Sequence, residues 1–176
     1  MDYFGRTAGL APRDDKFEYM PHVQQITLPT LFADVSAALG ERRERAGAER
    51  ATFIVGFCMG GSLTLFTGSQ DFGLAGEIGF YTGFGRKYEG YGSALDVSTR
   101  MRYPFLGLYG GADQGIPADQ LEVLDRNLDQ AGVEHEIKIY PGATHSFFDR
   151  RFAEFADASA DAWQRMLSFI HAHSST

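Results

Sequence analysis

What most restricts the fold is a strand that runs into a sharp turn around the chain's single cysteine. Thr52-Phe53-Ile54-Val55 is a short apolar run rich in β-branched residues, as expected of a strand buried on both faces. It ends at Gly56-Phe57-Cys58-Met59-Gly60-Gly61, and a helix from Gly60 to about Gly68 is expected to follow at once. Glycines stand two residues to either side of Cys58. That spacing is the strand–turn–helix pattern of a nucleophile elbow, with Cys in place of Ser, in which bulky side chains at Gly56 and Gly60 would clash. Such a turn sets the sulfur above the sheet and at a helix N-terminus, where backbone partial positive charge favours a thiolate. It also aims the backbone N–H of Met59 at the carbonyl oxygen of an acyl group held against the sulfur, as one donor of an oxyanion hole.

The rest of the chain punctuates itself around this element. Residues 1–24 hold Gly5, Gly9, Pro12 and Pro21 among charges and read as an irregular loop. From about Gln25 to Gly47 the residues Leu28, Leu31, Phe32, Val35 and Leu39 recur at helical spacing, with Pro29 near the first turn or at a kink. Further strands are expected at Gly76 to Tyr81, Tyr103 to Tyr109 and His135 to Tyr140. A helix from Pro117 to Gly132 carries Leu121, Leu124 and Leu128 on one stripe, and a last helix carries Phe152, Phe155, Trp163, Met166, Leu167 and Ile170. Strand and helix alternate from Thr52 onward. Parallel neighbours need crossover connections, so the fold class is α/β: a mostly parallel sheet of about four strands with helices on both faces, in one domain over residues 1–176.

In such sheets catalytic groups collect at the carboxyl ends of the strands. Asp113, in Gly110-Gly111-Ala112-Asp113-Gln114, follows the third strand, and His145, in Gly142-Ala143-Thr144-His145-Ser146-Phe147, follows the fourth. Nucleophile, acid, histidine is the chain order that this elbow fold imposes. Cys58 then attacks, His145 takes its proton, and Asp113 fixes the imidazole tautomer and stabilises the imidazolium. Asp113 also suits a plain turn beside Gly110-Gly111, and Cys58 a small buried core residue. Phe84, Arg86, Lys87, Tyr88 and Tyr91 follow the second strand and read either as a pocket lining or as an aromatic loop.

Composition removes several other classes. With 176 residues the chain has room for one core, and its net charge of −7 argues against a nucleic-acid grip. Arg42, Arg43 and Arg45 read as a solvated helix face. One cysteine permits no internal disulfide, and no signal-peptide pattern opens the chain, so the expected compartment is the cytoplasm. No apolar run approaches the roughly 20 residues that span a bilayer, which leaves no membrane role.

Three segments together resemble the dienelactone hydrolase family of α/β-hydrolases: Gly-Phe-Cys-Met-Gly-Gly, Gly-Ala-Asp-Gln-Gly-Ile-Pro and Tyr-Pro-Gly-Ala-Thr-His-Ser-Phe. The similarity runs from about Asp2 to about Ile170. It implies hydrolysis of small lactones and esters, such as dienelactone to maleylacetate in the breakdown of aromatics (a carboxymethylenebutenolidase-type activity). It also implies an acyl-thiolester on Cys58 and no metal or organic cofactor. By position in Asp2-Tyr3-Phe4-Gly5-Arg6, the resemblance makes Arg6 the group that binds a substrate carboxylate. Phe57 and Phe147, beside the nucleophile and the histidine, are the other expected substrate contacts. A second arginine, implied four residues after the histidine, is replaced by Asp149, with Arg150 one place further on.

In the family the segment resembling Asp2 to Gly9 is preceded by several strands and a helix, so the chain reads as the C-terminal part of that fold, with four strands rather than eight. The preceding part would hold the second oxyanion N–H and a glutamate that binds the resting thiol. Its loss would leave Thr52 to Val55 as an apolar sheet edge, expected to be covered by another chain, a symmetry mate or the N-terminal loop. An alternative function follows: a truncated, non-catalytic relative that keeps the triad and acts as a subunit or binding module. A thiol redox sensor is a third reading, though no resolving cysteine is present.

Overall fold

The structure, a computed structural model, describes residues 2–174. Their contacts divide into two compact units, one up to Glu49 and one from Arg50 onward.

In the first unit, the stretch expected to be irregular contains two single-turn helices, α1 (Gly5–Ala8) and α2 (Met20–Val23). Asp2 ties it together. Its carboxylate accepts from the Phe4 N–H at 3.0 Å and from both terminal nitrogens of Arg13 at 3.0 and 2.8 Å, while the Arg13 guanidinium lies over the Phe4 and Phe17 rings. A long helix, α3 (Leu28–Ala46), follows. Thr27 caps it by accepting from the Thr30 N–H, and Pro29 sits in the first turn, where its missing N–H leaves no bond unmade. Leu28, Leu31, Val35 and Leu39 form its buried stripe, as their spacing predicts.

The second unit alternates strand and helix. In chain order it comprises β1 (Phe53–Phe57), α4 (Met59–Gly68), β2 (Gly76–Phe80), the two-residue strands β3 (Lys87–Tyr88) and β4 (Gly92–Ser93), and α5 (Ala94–Ser98). After these come β5 (Phe105–Gly110), α6 (Ala118–Ala131), β6 (His135–Tyr140) and α7 (Ala156–Ala172). Four strands form one parallel sheet in the order β1-β2-β5-β6, and β3 and β4 pair separately as an antiparallel ribbon.

Helices cover both faces, which two adjacent residues of β2 make plain. A methyl group added to Gly76 would meet the Phe169 ring of α7 at 2.7 Å, whereas the carboxylate of Glu77 reaches Gly68 of α4. Successive strand residues point to opposite faces, so α4 and α7 lie on opposite sides. The central strands β2 and β5 are buried at every position, the signature of a parallel sheet covered twice.

The expectation that Thr52 to Val55 is buried on both faces is corrected by the sheet order. Among the described residues β1 pairs only with β2, so it is an edge strand, and Val55 and Phe57 are 38% and 39% exposed. The aromatic segment after β2 belongs to the core: Phe84 and Tyr88 are buried, and Tyr88 meets Phe66 edge-on at 5.1 Å. Helix α5 follows that segment, capped reciprocally by Ser93 and Asp96.

Candidate active site

Cys58 sits between β1 and α4 with φ 54° and ψ −116°, a backbone conformation that a residue with a side chain adopts only under constraint. The constraint comes from its neighbours. The Cys58 N–H donates to the Phe80 carbonyl at 3.0 Å, and the Ser62 N–H donates to the Cys58 carbonyl at 3.2 Å, which fixes the turn at both sides. A methyl group at Gly56 would run into the Gly60 carbonyl, and one at Gly61 would meet Thr82 Oγ1 at 2.5 Å. Both glycines are therefore required by close approach of backbone and helix. The sulfur-bearing residue is exposed at the N-terminal end of α4, and Met59 opens that helix, so its N–H has no partner within it.

The acid and the histidine come from the loops after β5 and β6, at the same end of the parallel sheet. Those loops are laced together: the Gly111 N–H donates to the Tyr140 carbonyl at 2.8 Å and the Ala112 N–H to the Ala143 carbonyl at 2.8 Å. Asp113 Oδ2 and His145 Nδ1 are 2.6 Å apart, while Asp113 Oδ1 accepts from the Gly115 N–H at 2.9 Å. The carboxylate side chain is 4% exposed and the imidazole 39%. With Nδ1–H donating to the buried carboxylate, Nε2 keeps its lone pair and faces away from Asp113.

Tyr81 joins this pair to the elbow. It directly follows Phe80, the residue that anchors the Cys58 backbone, and its ring centroid lies 4.9 Å from that of His145. Its own φ of 38° is a second constrained position, held by a 2.8 Å bond from its N–H to the Leu108 carbonyl. Burial pushes its phenol well above the usual tyrosine range, and the Asp149 carboxylate, both as a charge and as a hydrogen-bond partner, pushes the same way.

The residues from Asp2 to Ser174 match the family model for the dienelactone hydrolase family. The chain belongs to the dienelactone hydrolase family. Among its relatives, a protein of Escherichia coli (strain K12) assigned as a carboxymethylenebutenolidase is 32% identical over 144 residues, 80% of this chain and 53% of that protein. One from Methylorubrum extorquens with the same assignment is 30% identical over 182 residues, 94% of this chain and 61% of the relative. The chain thus spans about half the length of curated relatives it matches. A crystal structure assigned as a dienelactone hydrolase from Klebsiella pneumoniae subsp. pneumoniae superposes with a TM-score of 0.78 at 26% identity, covering 91% of this chain and 68% of that one. An acylaminoacyl peptidase of Pyrococcus horikoshii, 14% identical with a TM-score of 0.69 over 82% of this chain and 28% of its own, shares the fold.

In this dienelactone hydrolase family member, one of the three expected substrate contacts, Phe147, is closed off from solvent. Phe57 is exposed on the open rim, stacked at 4.8 Å on Phe80 and at 6.1 Å on Phe148. Phe147 is corrected: it is wholly buried, between Tyr81 at 5.8 Å and Tyr140 at 5.1 Å, because Ser146 at φ 59° turns the chain and sends the next side chain inward. It is a core prop of the histidine loop, with no surface for a substrate to touch. Its neighbour Phe148 is the aromatic on the rim, a placement that two adjacent phenylalanines do not reveal by themselves. Arg6 lies in the first unit, where its guanidinium is paired with the Asp34 carboxylate; Nε stands 3.0 and 3.1 Å from the two oxygens. Tyr81 was not singled out from the sequence, although its place directly after the second strand is where such sheets carry functional groups.

Proposed function

We propose that this chain hydrolyses small esters and lactones by nucleophilic acyl transfer. Cys58 is the nucleophile, His145 the base and Asp113 the acid that orients it. The observation that carries the reading is the 2.6 Å Asp113–His145 pair at the same sheet end as a cysteine in a strained strand-to-helix turn. In the first step His145 Nε2 takes the thiol proton as Sγ bonds to the acyl carbon, and the Met59 N–H stabilises the negative charge that develops on the carbonyl oxygen. The C–O bond to the leaving group then breaks, and the imidazolium returns its proton to the departing alkoxide. A water, deprotonated by the same Nε2, next adds to the thiolester. The thiolate leaves and is reprotonated, releasing the carboxylic acid. No step uses Arg6 or Phe147.

We further propose that the chain corresponds to the part of the family fold that carries nucleophile, acid and histidine, and that it works in the cytoplasm, where a lone thiol stays reduced. No helix among the described residues is long and apolar enough to cross a membrane. The free edge of β1 is proposed to be covered by another strand or a second copy, since unpaired apolar edges invite pairing.

The test is turnover of a chromogenic acetate ester by the wild-type chain, Cys58→Ala and His145→Ala. Loss of turnover in both variants is expected, and equal rates in all three would remove the reading. Alkylation of Cys58 without any ester turnover would favour the second reading, a non-catalytic subunit or binding module.

A further inference from the structure

Strand β6 closes the other end of the sheet, and among the described residues it pairs only with β5. The ladder shows which of its backbone groups are left over. The Phe105 N–H donates to the Glu134 carbonyl at 2.9 Å and the Gly111 N–H to the Tyr140 carbonyl at 2.8 Å, and one parallel register holds from Phe105 opposite His135 to Gly110 opposite Tyr140. In a parallel pair alternate residues direct both their N–H and their C=O at the neighbouring strand. Glu134, Glu136, Lys138 and Tyr140 therefore bond toward β5, and the N–H and C=O of His135, Ile137 and Ile139 point outward along the open edge.

The side chains of this strand alternate as strictly as its backbone. Glu136, Lys138 and Tyr140 lie on the face covered by α7. There Arg165 of α7 binds Glu136 and, at 2.6 Å, Asp161; the Tyr140 hydroxyl donates to Asp161 at 2.9 Å, and Lys138 Nζ lies 5.6 Å from the centre of the Tyr140 ring. Beside them, between β6 and α7, runs a groove of about 440 Å³ whose charged lining is Glu134, Glu136 and Asp161 against Arg165 and His173. Its three carboxylates outnumber its one guanidinium. On the opposite face are Ile137, Ile139 and His135, the last held by Asp125 of α6 at 3.1 Å, and Ile139 is 40% exposed.

We propose that the β6 edge docks a second copy of this chain, whose own β6 pairs with it antiparallel about a two-fold axis through Ile137, so that two four-stranded sheets continue as one. Charge chooses both the occupant and the register. With the axis at Ile137, Glu136 stands opposite the partner's Lys138 and Lys138 opposite the partner's Glu136, in the non-hydrogen-bonded positions where facing side chains come closest. The outward backbone groups then pair Ile137 with its own copy and His135 with the partner's Ile139, which also covers the exposed isoleucine. Moving the axis one residue either way sets Glu136 against Glu136 or Lys138 against Lys138. The incoming ammonium enters the groove in which carboxylates are in excess. Charges on an edge strand ordinarily turn other strands away. Here two opposite charges, two residues apart, oppose shifted pairings and suit the antiparallel copy. The inference is independent of the chemistry at Cys58 and of the β1 edge, which lies at the far end of the sheet.

The experiment silences the other edge by placing Val55→Lys in every chain, and sedimentation velocity is then expected to show a monomer–dimer equilibrium. Lys138→Glu makes both positions acidic and Glu136→Lys makes both basic, so two attractive pairs become repulsive and each variant alone dimerises at least about tenfold more weakly. Mixed one to one, the two variants are complementary again at every pair and the dimer returns, a rescue that a local effect of either substitution does not produce. A parent chain that stays monomeric at every concentration, a dimer that neither substitution weakens, or a mixture no tighter than its components overturns the inference. Amide hydrogen exchange, read residue by residue by NMR on the chain without substitutions, checks the register. Raising the protein concentration is expected to slow exchange at Ile137 and Ile139 far more than at Glu136 and Lys138, whose N–H groups are already bonded to β5. Slowing confined to β1 would place the contact at the other edge and equally overturn the proposal.

Discussion

Asp113 holds one carboxylate oxygen on the Gly115 N–H and offers the other to His145, so its own rotamer is fixed before it fixes the imidazole. An amide in its place can present an N–H to Nδ1 and favour the wrong tautomer. Asp113→Asn is therefore expected to lower kcat by about a thousandfold or more while leaving thermal unfolding nearly unchanged, as steady-state kinetics and a melting curve would show. A second carboxyl is buried for no catalytic reason. Glu77 is fully enclosed beneath α4, neither oxygen has a hydrogen-bond partner among the described residues, and burial holds its carboxyl well above the usual range. It stays protonated in the folded chain but ionises near 4.5 in the unfolded one. Its stabilising contribution is thus complete below that pH and is lost as pH rises toward the folded value, by roughly tenfold in the folding constant per pH unit. Urea titrations across this window should show Glu77→Gln less pH-dependent than wild type; parallel curves would contradict this. The sharp turn at Cys58 and the pairing of Asp113 with His145 were legible because glycine spacing and chain order mark them. The Phe147–Phe148 exchange and the role of Tyr81 were not, because one constrained φ decides which of two neighbours faces inward.

At the scale of elements, the elbow depends on contact between β1 and α4. Gly56→Ala places a methyl against the Gly60 carbonyl, a backbone atom that cannot turn aside. We expect a loss of at least about 2 kcal/mol in urea unfolding, together with slower alkylation of Cys58 as the turn opens. The periodic elements were readable: β6 spans His135–Tyr140 as expected, and α6 ends at Gly132, whose left-handed φ of 69° closes it. The two-residue strands β3 and β4 were not, since elements so short carry no period. Helix α7 starts at Ala156 although Phe152 and Phe155 share its turn spacing, because Arg151, bound to Thr144 and Glu154, holds the preceding residues in turns. The composition of β1 reads as a strand buried on both faces, because a buried strand and an edge strand share one composition; the edge was foreseen only from the family resemblance, and the sheet order shows it.

At the scale of the whole molecule, Phe148 is stacked between the exposed Phe57 and Trp163, and Val55, on the edge strand, is exposed as well. Exposed apolar side chains at an unpaired strand edge invite pairing. Sedimentation velocity is expected to show concentration-dependent association that Val55→Lys weakens; a monomer at every concentration would count against the proposed edge partner. The central claim, that a thiolester forms on Cys58 and is resolved by His145, is tested most directly by rapid mixing with p-nitrophenyl acetate followed by peptide mass spectrometry. The account predicts a burst of p-nitrophenolate, an acetyl group on the Cys58 peptide, and persistence of that adduct in His145→Ala if it forms there at all. A burst with no acetyl group on Cys58, or an adduct that clears equally fast without His145, would contradict it.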